Sequence, residues 1–337
     1  MVAAPTAHAA APISQAESSV PTDARLHIVT GKGGTGKTTI SAAMALGLAR
    51  GGRCTLLVEV EGRQGLAQLF DVPALRYAEQ RLAAAQGGGE VRGLSVDAEQ
   101  ALLEYLELFY GLKRSARMLG RMGAIDFVTT LAPGLRDVLL TGKVKEAVSR
   151  TDKKGRLVYD AVVLDAPPTG RIRQFLDATR EVINLTTVGP IHRQSAGVVE
   201  LLHSRRTVIE LVTLLEEMPV QETLDAAADL VAAGYRIGAV IVNRARPTLV
   251  SKDQVTAGGS VDRPALAEGL RAASIDSAYV PALAQQMAEY ANRQQLQTRH
   301  AAMLDQIPAP QVELPDLNPP VDRGELNELS GYLLGAI

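Results

Sequence analysis

From Leu26 onward, short apolar runs alternate with stretches whose apolar residues recur at three- and four-residue spacing. The run Leu26–Thr30 predicts a buried strand leading straight into a glycine-rich turn. Beyond the turn, Ile40, Ala43, Met44, Gly47 and Leu48 keep helical spacing, and Gly51-Gly52 supply a stop. Further buried strands are predicted at Thr55–Val60, Val91–Asp97 and Tyr159–Asp165. Residues 99–150 read as mostly helical, with Leu102, Leu106, Phe109 and Tyr110 on one apolar face; residues 171–206 read as helical again. A strand near Val208–Val212, a helix over Val220–Ala233 and a strand over Ile237–Asn243 follow. The polar, turn-rich piece Ser251–Ser277 reads as a surface excursion. A strand at Val312–Leu314 and a helix over Gly324–Leu334 complete the pattern, and no segment repeats at a fixed period.

Such alternation predicts an α/β fold: a mostly parallel, doubly wound sheet with helices on both faces. The helical segments at about 99–150 and 171–206 exceed what that core needs and predict an added helical subdomain. The expected organisation is a loose tail over residues 1–23, rich in Ala, Pro, Ser and Thr, then a single domain over 24–337. Sheets of this kind bind ligands at the carboxyl ends of their strands, so candidate chemistry is sought just after each strand.

Composition narrows the partners. A net charge of −2 on 337 residues gives no electrostatic footprint for nucleic acid or an anionic membrane. No apolar run approaches the roughly 18 residues of a membrane span, and stable membrane insertion is not expected. Cys54 is the single cysteine. That excludes a disulfide within the chain and a multi-cysteine metal site, suits a reducing cytoplasm, and places the thiol in the core of a buried strand.

The turn after the first strand reads Gly31-Lys32-Gly33-Gly34-Thr35-Gly36-Lys37-Thr38, followed by Thr39. It fits the phosphate-loop pattern G-x-x-x-x-G-K-[ST] in full, with a strand before and a helix after. Glycines let backbone N–H groups turn inward on phosphate oxygens, and the helix N-terminus adds its positive dipole end. Lys37 is expected on the β- and γ-phosphates of ATP, and the Thr38 hydroxyl on Mg²⁺. Lys32 is a second lysine in the same loop. It is either a solvated surface residue or one that reaches a phosphate in a neighbouring subunit.

Two further segments follow strand ends. Asp165 closes an apolar strand and suits a water-mediated place in the Mg²⁺ shell; Pro167 and Pro168 stiffen the next turn, and Thr169-Gly170 let it pass near a γ-phosphate. Glu59 and Glu61 sit at the end of Thr55–Val60, where a carboxylate past the strand can orient or deprotonate an attacking water. The same acids could instead be solvated, and Arg63 beside them could compensate charge or touch phosphate.

Together these residues resemble the ArsA-type anion-transporting ATPase family, which includes the tail-anchored-protein-targeting ATPases of the guided-entry pathway. The resemblance rests on the deviant-Walker loop Lys32–Thr38 and on Asp165–Arg171, DAPPTGR, in place of the family's D-T-A-P-T-G-H switch. It implies a P-loop NTPase fold and hydrolysis of ATP with Mg²⁺. Counting back from Phe70 sets Glu61 where the family's first-switch aspartate stands, with Gly62, Arg63 and Gln64 replacing the rest of that motif. Glu61 then positions the attacking water and becomes a possible metal-shell residue. The resemblance also nominates Asn243 for adenine, Pro315 for a second adenine-side loop, and Glu222-Thr223 for a helix carrying an E-T pair.

It further implies a dimer, homomeric or with a paralogue, closing around ATP with Lys37 acting in cis and Lys32 in trans. A protein client or partner would be held by the helical segments, although Met118 and Met122 supply the only methionines at helical spacing there and suit ordinary core equally. Without a C-x-x-C pair or metalloid cysteines, neither zinc nor arsenite activation is expected. Rival readings are a MinD- or ParA-like positioning ATPase, a catalytically weak ATP-binding regulatory subunit, and an anion-efflux pump subunit.

Overall fold

Apolar residues on both sides of each central strand force burial between two helical layers, and that is the arrangement found. The computed structural model describes residues 20–60, 62, 64–110, 133–185, 190–250, 260–317 and 321–335. Its strands are β1 (Leu26–Gly31), β2 (Cys54–Glu59), β3 (Gln80–Ala84), β4 (Glu90–Ser95), β5 (Ala161–Asp165), β6 (Thr207–Thr213), β7 (Ile237–Ala245) and β8 (Gln311–Pro315). They form one sheet in the order β3-β4-β2-β5-β1-β6-β7-β8, parallel except where β3 pairs antiparallel with β4 at the edge. The order runs outward in both directions from β1, so the switch of direction falls at the strand that enters the phosphate loop.

One face is covered by α1 (Lys37–Leu48), α2 (Gly65–Leu69) and α10 (Arg323–Leu334). Every residue of α1 from Ile40 to Leu48 is buried, because α10 lies over its outer side. A helix apolar all round is the mark of such double cover. The opposite face carries α3 (Ala98–Tyr110), α4 (Pro133–Ser149), α5 (Thr169–Leu185), α6 (Pro190–Leu202) and α7 (Glu217–Ala232), with the end of a long α9 (Val280–Leu304). The helical segments expected at 99–150 and 171–206 are thus α3–α4 and α5–α6 where described. Met118 and Met122, like the side chains of Leu106, Phe109 and Tyr110, lie outside the described residues; Leu102 does pack against the core.

Several expectations change. Ser251–Ser277 is not all turn: Arg263–Ala272 forms α8, started by the Asp262 side chain accepting from Ala265 N at 3.0 Å, with a proline in its first turn. The 25-residue α9 was not predicted, and its buried positions are only Ala284 and Leu304. Strand β3 was missed as well. Cys54 is half-buried at the start of β2 rather than inside the core, its Sγ 3.7 Å from Glu90 Oε1. Burial and that carboxylate push the thiol up to about 11. Val20, within the stretch expected as a loose tail, is buried and donates its N–H to Leu333 O at 3.0 Å.

One polar pair lies deep in the sheet. His27 on β1 and Glu210 on β6 are both fully buried, Nδ1 to Oε1 3.1 Å apart. Gly238 on β7 makes room, since a Cβ there would stand 2.6 Å from the Glu210 carboxylate. Removing one partner of such a pair costs about 1–3 kcal/mol, because the other is left buried without its hydrogen-bond complement.

Candidate active site

The phosphate loop is built by backbone conformation more than by side chains. Gly34 and Gly36 both take φ near +90°, a region open to glycine at no steric cost. Gly36 is the N-cap of α1 and contributes no side-chain cap, which leaves the first N–H groups of that helix facing the loop. The loop folds around the Lys32 carbonyl, which accepts from Thr35 N (3.3 Å), Thr35 Oγ1 (2.8 Å) and Lys37 Nζ (3.5 Å). Lys37 is therefore turned inward, and it is buried. Gly33 and Gly34 are exposed at the crown, and Thr39 is half-buried on the first turn of α1.

Lys32 points elsewhere. Its ammonium pairs with Glu222 on α7, and the other carboxylate oxygen of Glu222 accepts from Thr169 Oγ1 at 3.3 Å. The lysine is thus neither a free surface charge nor a second arm into its own loop.

Asp165 at the end of β5 meets the start of α1. Its Oδ2 accepts from Thr38 Oγ1 at 2.8 Å, and Ser41 Oγ lies 3.3 Å from Oδ1. Ser41 was not singled out in the sequence; its i+4 spacing from Lys37 on α1 is the signal that could have found it. Glu59 is the in-register neighbour of Asp165 on β2, buried, with Oε1 accepting from Gly65 N at 3.1 Å. These donors fit the ATP and Mg²⁺ that the loop implies: a hydroxyl for direct ligation, an adjacent carboxylate for the metal's water shell, and uncapped N–H groups for phosphate. Among the described residues no cluster of three His, Cys, Asp or Glu could hold a metal.

The segment after β2 is bent by Gly62 and Gln64, with φ of 65° and 57°. A left-handed glutamine is uncommon and needs restraint. The restraint is a double hydrogen bond: Gln64 Nε2 to Leu75 O (3.1 Å) and Leu75 N to Gln64 Oε1 (2.7 Å). Glu61 and Arg63, on either side of Gly62, lie outside the described residues.

The loop after β5 is anchored at both ends. Thr30 Oγ1 donates to Pro167 O at 2.7 Å, and Arg171 faces the buried carboxylate of Asp137 on α4 at 3.7 Å. Burial raises the Asp137 pKa, with Arg171 and then Arg136 opposing the rise. A direct polar contact thus joins the first turn of α5, just past this loop, to α4. On the other side of the phosphate loop, Asn243 Nδ2 donates to Thr35 O at 2.9 Å and stands where a Cβ on Gly36 would clash, at 2.4 Å. Pro315 pairs with Ala245 across β7 and β8, and Arg244, itself at φ 55°, bonds Asp316 at 2.8 Å. Asn243 therefore borders the loop directly, while Pro315 lies one strand further out, beside Ala245.

A parallel sheet with this loop at its switch point, and an acid from the neighbouring strand on the loop's threonine, defines a P-loop ATPase. Residues 24–200 match the family model described as anion-transporting ATPase. The chain belongs to that ArsA family. It is 53% identical over 313 residues to the ATPase BagA of Mycobacterium tuberculosis, covering 92% of each chain. It is 26% identical over 262 residues to an arsenical pump-driving ATPase of Escherichia coli, covering 69% of this chain and 42% of that protein. A similar match of 27% over 247 residues joins it to the arsenical pump-driving ATPase of Acidiphilium multivorum, with 65% and 39% covered. The protein is an ATP-hydrolysing enzyme. Among the described residues no helix is long and apolar enough to cross a membrane.

Proposed function

We propose that this chain works as a Mg²⁺-dependent, nucleotide-gated pair, two copies or one with a paralogue, whose closing and opening holds or releases a protein partner. The observation that carries the reading is the divergence of the two loop lysines. Lys37 stays inside its own loop, whereas Lys32 extends to α7, away from the phosphates its own backbone would cradle. A cation outside its own site is available to a neighbour's, as an arginine finger is.

Within one chain the loop N–H groups and Lys37 bind the β- and γ-phosphates, and Asn243 and Pro315 border the base. Thr38 and Asp165 would hold Mg²⁺, which would supply charge neutralisation at the phosphates. Glu61 orients the attacking water. The Arg171–Asp137 contact carries movement of the loop after β5 into α4 and the helices that hold the partner. An arsenite-driven activity, by analogy with the pump-driving relatives, is not favoured: Cys54 is the single cysteine of the chain and is half-buried beside Glu90.

Replacing Lys32 by Ala should leave binding of ATP to the single chain intact. It should weaken the ATP-dependent pair and lower turnover on the order of 10³-fold, the scale of a cation supplied in trans. Pair formation and turnover like the wild type would contradict the reading.

A further inference from the structure

Glu222 belongs to neither the phosphate loop nor the loop after β5, yet its two carboxylate oxygens touch both. Oε1 holds the Lys32 ammonium, and Oε2 accepts from the Thr169 hydroxyl at 3.3 Å. The helix that presents Glu222 is firmly seated: Val220, Thr223, Ala227 and Leu230 are buried, and Thr223 Oγ1 donates to Pro219 O at 2.7 Å. Thr169 is buried too, at the start of α5. A fixed carboxylate thus ties together the two segments that a γ-phosphate would approach from opposite sides.

We infer that Glu222 is a positioning residue that withholds Lys32 until nucleotide engages the loop after β5. The strength of the contact suits release. The side chains of Lys32 and Glu222 are 30% and 36% exposed, so the pair falls near the weak, surface end of ion-pair energies. An incoming triphosphate repels the carboxylate and competes for the ammonium. Because Thr169 shares the same carboxylate, any shift of its loop toward phosphate removes one of the two contacts that orient Glu222. Lys32 is then freed by the movement that signals a bound γ-phosphate, rather than by random breathing of the loop. A neutral residue at 222 would leave the lysine free at all times, and a pair without Thr169 would be blind to the neighbouring loop.

The consequence of the release rests on the paired reading above; the holding contact does not, and the test separates them. Lysine acylation of the nucleotide-free full chain, read peptide by peptide by mass spectrometry, reports how firmly Lys32 is held. Its rate is taken relative to the exposed Lys153 and Lys154. Glu222→Gln and Glu222→Ala should each raise Lys32 labelling by about two- to fivefold, the span of a partly exposed ion pair. Thr169→Val, which removes only the hydroxyl, should raise it less but in the same direction. A purely structural Glu222 would lower the melting temperature without changing that ratio. Unchanged Lys32 labelling in the Glu222 variants, or in Thr169→Val, overturns the inference. Native mass measurement of the same samples with a non-hydrolysable ATP analogue reports the pair separately, so its failure would count against the paired reading and not against the hold on Lys32.

Discussion

The two sides of the phosphate loop are held in different ways. On the β5 side, Asp165, Thr38 and Ser41 are already joined by hydrogen bonds of 2.8–3.3 Å in a buried setting. The chain's own groups hold this side together, and a metal's shell would replace short polar contacts with its own. On the β6 side the loop is tied through Lys32 to Glu222, a half-exposed ion pair that must come apart before the lysine can serve a phosphate. Preassembly favours tight, fast binding within one chain. A breakable tie makes the next step conditional. On the paired reading proposed above, chemistry falls to the β5 side and control to the β6 side.

The sharpest way to break this contrast is to disable the inner lysine. Lys37→Ala should lose about 100-fold or more in turnover per bound ATP, the scale for one preorganised cation or donor in a closed site. Unlike Lys32→Ala it should also weaken ATP binding by the single chain, and single-chain binding as tight as that of Lys32→Ala would erase the distinction. Next comes Asp165→Asn, which keeps the hydrogen bond to Thr38 and removes the charge. It should weaken Mg²⁺-dependent turnover by about 10- to 100-fold, as loss of an outer-shell partner does, with partial recovery at high Mg²⁺ in a titration of rate against metal.

The local backbone of the candidate site was legible in the sequence, because it lies in contiguous motifs at strand ends. Gly31–Thr38 and Asp165–Arg171 each fix a backbone path that glycine or proline dictates, so residue type and spacing suffice. Partners from distant segments were not legible. Glu222 stood out only as half of an E-T pair, and its contact with Lys32 spans 190 positions in sequence. Asp137, the partner of Arg171, gave no signal, since one acid in a helical run reads as a solvated face. In the fold, α9 escaped notice because it buries so little: with only Ala284 and Leu304 inside, it has almost no apolar stripe to read. The α8 start was hidden by turn-forming residues around Asp262, although Asp followed by Pro two positions later is a start signal. The edge strand β3 pairs along one side only and is short, which leaves its alternation weak.

The smallest expected effect concerns the link from the loop after β5 to the helices. Burial raises the Asp137 pKa, so the folded chain holds that proton more tightly than the unfolded chain. The stability from this group is complete below the unfolded value of about 3.9 and is lost as pH rises through the folded one. Asp137→Asn should therefore melt at most a few degrees above the wild type at pH 7, with the difference closing at acid pH. If it also loosens the link to Arg171, ATP binding should persist while partner release slows.

The central claim is that one complete site draws Lys37 from one chain and Lys32 from another, and a mixing experiment tests it most directly. Lys32→Ala and Lys37→Ala chains, each nearly inactive alone, are combined in equal amounts and assayed for ATP hydrolysis. If Lys32 acts in trans, half of the pairs are mixed and each mixed pair has one complete site, so activity should return to about a quarter of wild type. If both lysines serve the same chain's ATP, no mixed pair has a complete site, and the mixture stays as inactive as its components.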